Sequence, residues 1–381
     1  MNFSTGTNLV AHEASVPAGG VGGRGISVLI CGYNSAARLP ATLAALGRLQ
    51  APTGGYGVEV LVIDNASTDD TALVAGQVLA GLAGGGRDWH LAYQVLTEPQ
   101  PGKSYALALG LAQARYEYVC IVDDDNWLAP DYLNRAWAVL EANPTIGALG
   151  GVGEPVCEVA PPAWFPEFAI DYAAAPQALK SGDVTQSNRY LYGAGMVLRK
   201  QAWMEVSEQD FSSLLTEVRG NKPSGEDNEM CYALTLGGYR IWYDEGLRFR
   251  HLIPAQRLTW QYLRNTYRVN AVAHVELRPW TYYLELGAAR PARAPALGWL
   301  RSGVYILRYM LPVLGRALRH GELNQEGSAD SLRVLYYWQS FKGYLLRQLH
   351  GDQGFELAAR YVNGLRSRQP ARSTALNEQA I

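Results

Sequence analysis

At 381 residues, with 48% apolar and 18% charged, the chain can build one large elaborated domain or two modest ones, and wholesale disorder is excluded. A formal charge of −2 lacks the basic excess of a phosphate-tracking surface, so no nucleic-acid partner is expected. Cys31, Cys120, Cys157 and Cys231 are scattered with no CxxC or Cys/His spacing, which fits buried reduced thiols in a cytosolic setting better than structural zinc.

Residues 1–24 lack the basic and apolar regions of a secretory signal and read as a flexible, Gly- and Ser-containing lead. From residue 26 strand and helix patterns alternate. ISVLICGYN (26–34) reads as a strand, RLPATLAALGRL (38–49) as a helix, VEVLVIDNAS (58–67) as a second strand and DDTALVAGQVLAGLA (69–83) as a helix. HLAYQVLTEP (90–99), KSYALALGLAQAR (103–115) and YEYVCIVDDD (116–125) repeat the pattern as strand, helix and strand. Continuously apolar strands separated by helices predict βαβ units and a parallel sheet covered on both faces.

Residues 151–192, rich in Pro and aromatics with no clear period, read as an irregular excursion. YLYGAGMVLRKQAW (190–203) returns as a strand leading into a helix, and GEDNEMCYALTLGGYRIWYDEGLRFRH (225–251) reads as a helix, a turn and two short strands. A helical region is expected over 256–366, followed by a loose tail over 367–381. Within it, ALGWLRSGVYILRYMLPVLGRAL (296–318) is the most apolar stretch, yet it carries Arg301, Arg308 and Arg316. Each central Arg would cost about 2.5–3.5 kcal/mol in a bilayer, which argues against a spanning helix. The readings left are a helix lying in a membrane interface, giving peripheral membrane contact, and a helical hairpin packed on the main domain, with Pro312 interrupting the period.

In open α/β sheets ligands collect beyond the carboxyl ends of the strands. Here those ends carry Tyr33 and Asn34, Asp64 and Asn65, Glu98, and the triplet Asp123, Asp124 and Asp125. Three adjacent carboxylates repel one another, and no basic residue follows in the run to relieve them. Strand alternation turns Asp123 and Asp125 the same way and Asp124 elsewhere. Two such oxygen ligands suit Mg²⁺ or Mn²⁺; an acidic turn leading into a helix is the alternative. Glu226 and Asp227 open a predicted helix, where acids stabilise the helix end or serve as a general base. His251, after a short strand, is open to a ligand role.

These motifs together resemble the family 2 glycosyltransferases, over roughly residues 26–255. The resemblance implies an inverting enzyme on the GT-A fold, a Rossmann-like α/β architecture with a mostly parallel central sheet, here with a helical C-terminal extension. It implies a domain over 25–255, with a nucleotide half (25–125) and an acceptor half (126–255), and a nucleotide-sugar donor, a UDP-sugar favoured. It places Tyr33, Asn34, Asp64, Lys103, Asp123 and Asp124 toward the donor, Asp125 and His251 on a Mn²⁺ or Mg²⁺ ion, and Asp227 as catalytic base supported by Glu226. Asn65 and Ala66 stand where many members carry Asp and Gly, so the choice of base is less fixed here.

The acceptor is expected to be a saccharide or a lipid-linked sugar. Trp127, Trp164, Trp242 and Tyr243 are candidates for stacking on it, core packing being the alternative. Arg257 and Arg264 lie on a stretch able to close over the donor. A nucleotidyltransferase is disfavoured by the lack of a Gly-rich basic loop after the first strand, and a non-catalytic nucleotide-sugar binding module by the intact GED.

Overall fold

Four strands built largely from apolar residues set the frame. The computed structural model describes residues 23–85, 89–208, 211–215, 225–287, 292–350 and 353–368; the expected N-terminal lead, but for its last two residues, and the tail beyond Arg368 lie outside them. β1 (Gly23–Gly32), β2 (Gly57–Asp64), β3 (Ala92–Thr97) and β4 (Tyr116–Asp123) alternate with α1 (Leu39–Leu46), α2 (Thr71–Ala83) and α3 (Lys103–Gln113). The strands lie side by side in the order β3-β2-β1-β4, all parallel.

Alternation splits each strand between two cores. Val28, Ile30, Val60, Val62 and Val122 face the layer of α1, α2 and α4 (Tyr132–Ala142). Leu29, Leu61, Ile63, Val119 and Ile121 face α3 and the layer that continues into the C-terminal helices. At about 1.5–3 kcal/mol for each fully buried Val, Leu or Ile, these two layers supply the main driving force of the fold.

Beyond β4 the sheet becomes mixed. β5 (Asn126–Leu128), β6 (Ile146–Cys157), β7 (Gly182–Asp183), β8 (Val197–Arg199) and β9 (Arg240–Ile253) extend it in the order β4-β8-β6-β9-β5, with β7 also on β9. β8 runs antiparallel to β4 and β6, while β6 and β9 are parallel. The short α5 (Phe165–Phe168) lies after β6, α6 (Lys200–Ser207) follows β8, and α7 (Glu226–Leu236) precedes β9.

Two readings from sequence are corrected here. The irregular excursion begins only after residue 157, because β6 runs through Gly150, Gly151, Gly153 and Pro155. These glycines serve close approach: a Cβ on Gly151 would lie 1.8 Å from the Leu247 carbonyl oxygen, and one on Gly153 equally close to that of Ala173. The two short strands expected before residue 251 are one long β9, whose register against β6 shifts between Gly150 and Val152.

The C-terminal region forms α8 (Trp260–Glu276), α9 (Arg278–Leu286), α10 (Gly298–Arg319), α11 (Ala329–His350) and α12 (Gly354–Arg368). These helices dock on α6 and α7: Trp280 Nε1 donates to Glu229 Oε1 at 2.8 Å, and Tyr361 OH to the Val206 carbonyl at 3.0 Å. α10 and α11 form an antiparallel hairpin closed by Arg316 and Asp330 at 2.9 Å, and α10 continues across Pro312 rather than breaking there.

Gly151→Ala is expected to destabilise the fold by about 1–3 kcal/mol, since the added methyl meets backbone. Gly76→Ala, on open α2 surface, is expected to stabilise it by roughly 0.5–1 kcal/mol. Urea midpoints of the two variants check both signs.

Candidate active site

The carboxyl ends of β1 and β4, the start of α3 and the start of α7 meet at one cleft. It has two adjoining lobes that share Lys103, Asp123, His251 and Arg257. The smaller, about 340 Å³, is also walled by Cys31, Tyr33, Arg38, Asn65, Asp124 and Asp125. The larger, about 760 Å³, takes in Glu226, Asp227 and the inner surface of α8, α9 and α11.

The Asp triplet is not left to itself. Lys103 Nζ lies 2.7 Å from Asp123 Oδ1, Arg38 lies 2.6 Å from Asp124 Oδ2, and Arg257 lies 3.3 Å from Asp125 Oδ2. Each carboxylate therefore has its own cation, brought from elsewhere in the chain, and the crowding seen in the sequence is relieved within the protein. Asp124 is tied further to α1, accepting from Ser35 Oγ while its carbonyl accepts from Thr42 Oγ1 at 2.8 Å.

Asp125 is buried, and its Oδ1 lies 3.4 Å from His251 Nε2. Burial works against its ionisation, but His251, Arg257 and Arg38 outweigh it and hold the carboxyl below the usual range. His251 Nδ1 donates to the Tyr172 carbonyl at 2.7 Å, which fixes Nε2 as the ring nitrogen that faces Asp125. Asp125 and His251 thus present two donor atoms at one point of the cleft. Among the described residues no group of three or more His, Cys, Asp or Glu is gathered for a metal.

Lys103 opens α3 and also lies 3.5 Å from Glu226 Oε1. Burial works against its charge, yet Asp123 and Glu226 raise its pKa well above the ordinary value. Neighbouring Glu226 and Asp227 are driven apart. For Glu226, burial is outweighed by Lys103 and by the backbone N–H of Gly225, and the pKa falls. For Asp227, burial and then the Glu226 charge push the carboxyl up to about 6, although its oxygens accept from Gly193 N and Asn228 N, both at 2.8 Å.

Of the other residues singled out in the sequence, Asn34, Asp64 and Arg264 lie nearby but off the cleft walls, while Asn65 lines the smaller lobe. Asn34, at positive φ, stitches the loop after β1 to that after β2, its Oδ1 accepting from Thr68 N at 2.8 Å. Asp64, buried at the end of β2, accepts from Ser67 N. Asn65 holds the approach to α3, donating to the carbonyls of Glu98 and Gln100 and accepting from Gly102 N at 2.7 Å. Arg264 reaches Asn324 rather than the cleft.

The aromatic stacking candidates are occupied elsewhere. Trp127 lies under Arg250, Trp164 packs on Phe168 and Trp260, Trp242 packs against a core layer, and Tyr243 is buried. The larger lobe is lined instead by Tyr172, Tyr190, Tyr192, Tyr232, Tyr262 and Tyr336, spread over more than 160 residues of chain. No local signal links them. Asp171 joins them; burial pushes its carboxyl up to about 6, partly opposed by the hydrogen bond from Tyr267 OH. A distinct, largely apolar cavity of about 690 Å³, bordered by Leu107, Leu111, Trp203 and Phe211, touches Glu226 and Glu229 among the acids above.

Residues 27–206 match the family model described as Glycosyl transferase family 2. That stretch, just under half of the chain, is a family 2 glycosyltransferase domain. The chain is 26% identical over 247 residues to the poly-beta-1,6-N-acetyl-D-glucosamine synthase of Staphylococcus epidermidis, covering 62% of this chain and 53% of the relative. An uncharacterized glycosyltransferase of Mycobacterium tuberculosis is 34% identical over 119 residues, 31% of this chain and 45% of that one. The chain thus spans about half the length of the curated relatives it matches. In fold it is similar to a mannosyltransferase of Pyrobaculum calidifontis solved in complex with GDP-Man and Mn²⁺, with a TM-score of 0.53, 18% identity, and coverage of 87% of this chain and 88% of that one. The GT-A architecture expected from the sequence is the one observed: a mostly parallel sheet between helices, followed by further helices.

A raised carboxyl pKa in the folded state favours the protonated form, so Asp171 contributes stability below its unfolded pKa that is lost as pH rises through about 6. Asp171→Asn should therefore match the parent near pH 4 and exceed it above pH 7 by on the order of 1–2 kcal/mol, less than the full shift because the group is partly exposed. Thermal melts at the two pH values test this.

Proposed function

We propose that this family 2 glycosyltransferase transfers a sugar, with inversion, from a nucleotide-sugar donor to a hydroxyl of a saccharide or lipid-linked acceptor. The observation that carries the reading is Asp227. It lies in the cleft with a carboxyl pushed up to about 6, close to working pH, while Glu226 beside it stays ionised against Lys103. A general base works best when its pKa lies near the operating pH.

In this mechanism the acceptor hydroxyl gives its proton to Asp227 as its oxygen forms the bond to the anomeric carbon. The bond from that carbon to the diphosphate oxygen breaks, and the nucleoside diphosphate departs on the opposite face with the electron pair. Lys103, Arg257 and the N–H groups at the start of α3 supply positive potential for the departing charge. Tyr33, exposed at the rim of the smaller lobe, offers a ring face to the nucleotide.

Asp125 Oδ1 and the lone pair of His251 Nε2 fit Mn²⁺ or Mg²⁺, since such ions are held by few protein ligands with substrate phosphates completing the shell. A bound ion would supply neutralisation of the leaving diphosphate. A UDP-sugar is the donor favoured by the family resemblance, with Asp64 toward the base. The larger lobe, walled by tyrosines and the amides Gln177, Asn188, Asn228 and Asn270, suits a polyol acceptor: ring faces cover its apolar side while amides and phenols pair its hydroxyls.

Asp227→Asn is expected to lower turnover by about 10²–10⁴-fold while donor affinity stays within a few-fold of the parent. Turnover close to the parent's would remove Asp227 from this role. Because the base acts only when ionised, kcat/KM should rise with pH through about 6 and then level, and the Asn variant should lose that rise. Release of nucleoside diphosphate across a donor panel tests the reaction class; pyrophosphate instead would indicate a nucleotidyltransferase. Asp125→Ala should weaken Mn²⁺ binding in the presence of nucleoside diphosphate, as read by calorimetry.

A further inference from the structure

The hairpin of α10 and α11 buries one side against the domain and leaves the other unlike an ordinary solvated surface. On α10 the inner side, Trp299, Ile306, Met310, Val313 and Ala317, is buried. The outer side should be polar if it met only water. It carries instead Leu300, Val304, Leu311 and Leu318, all exposed, on one stripe with Arg301 and Arg308. Tyr305 and Tyr309 flank that stripe, about half exposed, their hydroxyls 2.8 Å apart.

α11 continues the same surface. Trp338 is exposed with Lys342 over its ring, and Leu346 and Leu349 are exposed about two and three turns beyond Trp338. Gln348 accepts from the Leu300 backbone N–H, so the Leu346 and Leu349 end of α11 lies beside the start of the α10 stripe. A continuous apolar surface of this kind, edged by Tyr and Trp, marks a contact site rather than scattered exposed residues.

Charge says what kind of contact. α10 contains four Arg and no Asp or Glu. Residues 298–368 hold ten Lys and Arg against five Asp and Glu, so this end is basic in a chain whose total is −2. Among the described residues no carboxylate pairs with Arg301 or Arg308, whereas Arg316, lower on the same helix, is held by Asp330. Unpaired arginines interleaved with aliphatic side chains, with aromatic rings at the margin, complement an anionic lipid surface: the aliphatic groups enter the headgroup–acyl boundary and the guanidinium groups meet phosphates. Among the described residues no helix is long and apolar enough to cross a membrane, so the contact is peripheral.

We infer that the outer face of the α10–α11 hairpin docks the protein on an anionic membrane surface, with α10 lying in the interface. This rests on the hairpin alone and is independent of the catalytic reading above. The two are linked through α11, whose Tyr336 lines the larger lobe while Trp338 and Lys342 face outward. A docked hairpin would therefore hold that lobe close to lipid headgroups.

The test is cosedimentation of the full chain with vesicles of pure phosphatidylcholine and with vesicles containing phosphatidylglycerol. Binding at least about tenfold stronger to the anionic vesicles, and weakened by high salt, is expected. Arg301→Glu with Arg308→Glu should abolish that preference. Val304→Glu with Leu311→Glu should weaken binding to anionic vesicles by a similar factor. All four side chains are exposed, so both variants should keep the parent's circular dichroism and melting temperature. Equal binding to both vesicle types, or binding unchanged by either double variant, would overturn the inference. So would a stable dimer by light scattering that the Val304 and Leu311 changes dissociate, since the face would then belong to a second copy.

Discussion

The ammonium group of Lys103 is the point on which the cleft is organised. It stands between Asp123, from the end of β4, and Glu226, from the start of α7, so one cation joins two carboxylates separated by about a hundred residues. Remove that charge and the two acids face each other across the cleft uncompensated. The loop that delivers Lys103 is held in turn by Asn65, whose amide pairs with three backbone groups on the approach to α3. The end of β2 and the start of α3 are thereby fixed as one unit, and Gly102, at positive φ, permits the turn between them.

The same arrangement separates the two acids at the start of α7. Glu226 lies toward Lys103 and is held ionised; Asp227, one residue on, is left to burial and to its neighbour's charge. Two adjacent carboxyls with opposed shifts are a familiar way for one site to hold both a fixed charge and a proton acceptor at neutral pH. The cleft is polarised along its length as well. Charged pairs fill the smaller lobe, tyrosines and amides the larger, and these suit a phosphorylated ligand and a polyol respectively.

The C-terminal helices complete the site. α8, α9 and α11 wall the larger lobe, and without them Tyr262, His274 and Tyr336 would be missing from it. Their docking is polar as well as apolar: Glu229 of α7 is buried because Ser213, Leu214 N and Trp280 Nε1 satisfy it. That network fixes α7 against α9, and so fixes the helix on which Glu226 and Asp227 stand.

The sequence by itself determined the parallel half of the sheet, the convergence of polar residues at its carboxyl edge, and the grouping of Lys103, the Asp triplet, Glu226, Asp227 and His251. The first two follow from local rules, strand alternation and helix starts, acting within short windows; the grouping is what the family resemblance implies. It did not disclose β6, because glycines needed for close approach to Leu247 and Ala173 look like turn residues in a linear reading. Nor did it disclose that each acid of the triplet has a cation of its own, since Arg38, Lys103 and Arg257 come from three separate parts of the chain. The tyrosines of the larger lobe were hidden for the same reason. Pairing over long sequence separations is decided by how the layers pack, and only the tertiary structure brings such partners within a few ångströms of one another.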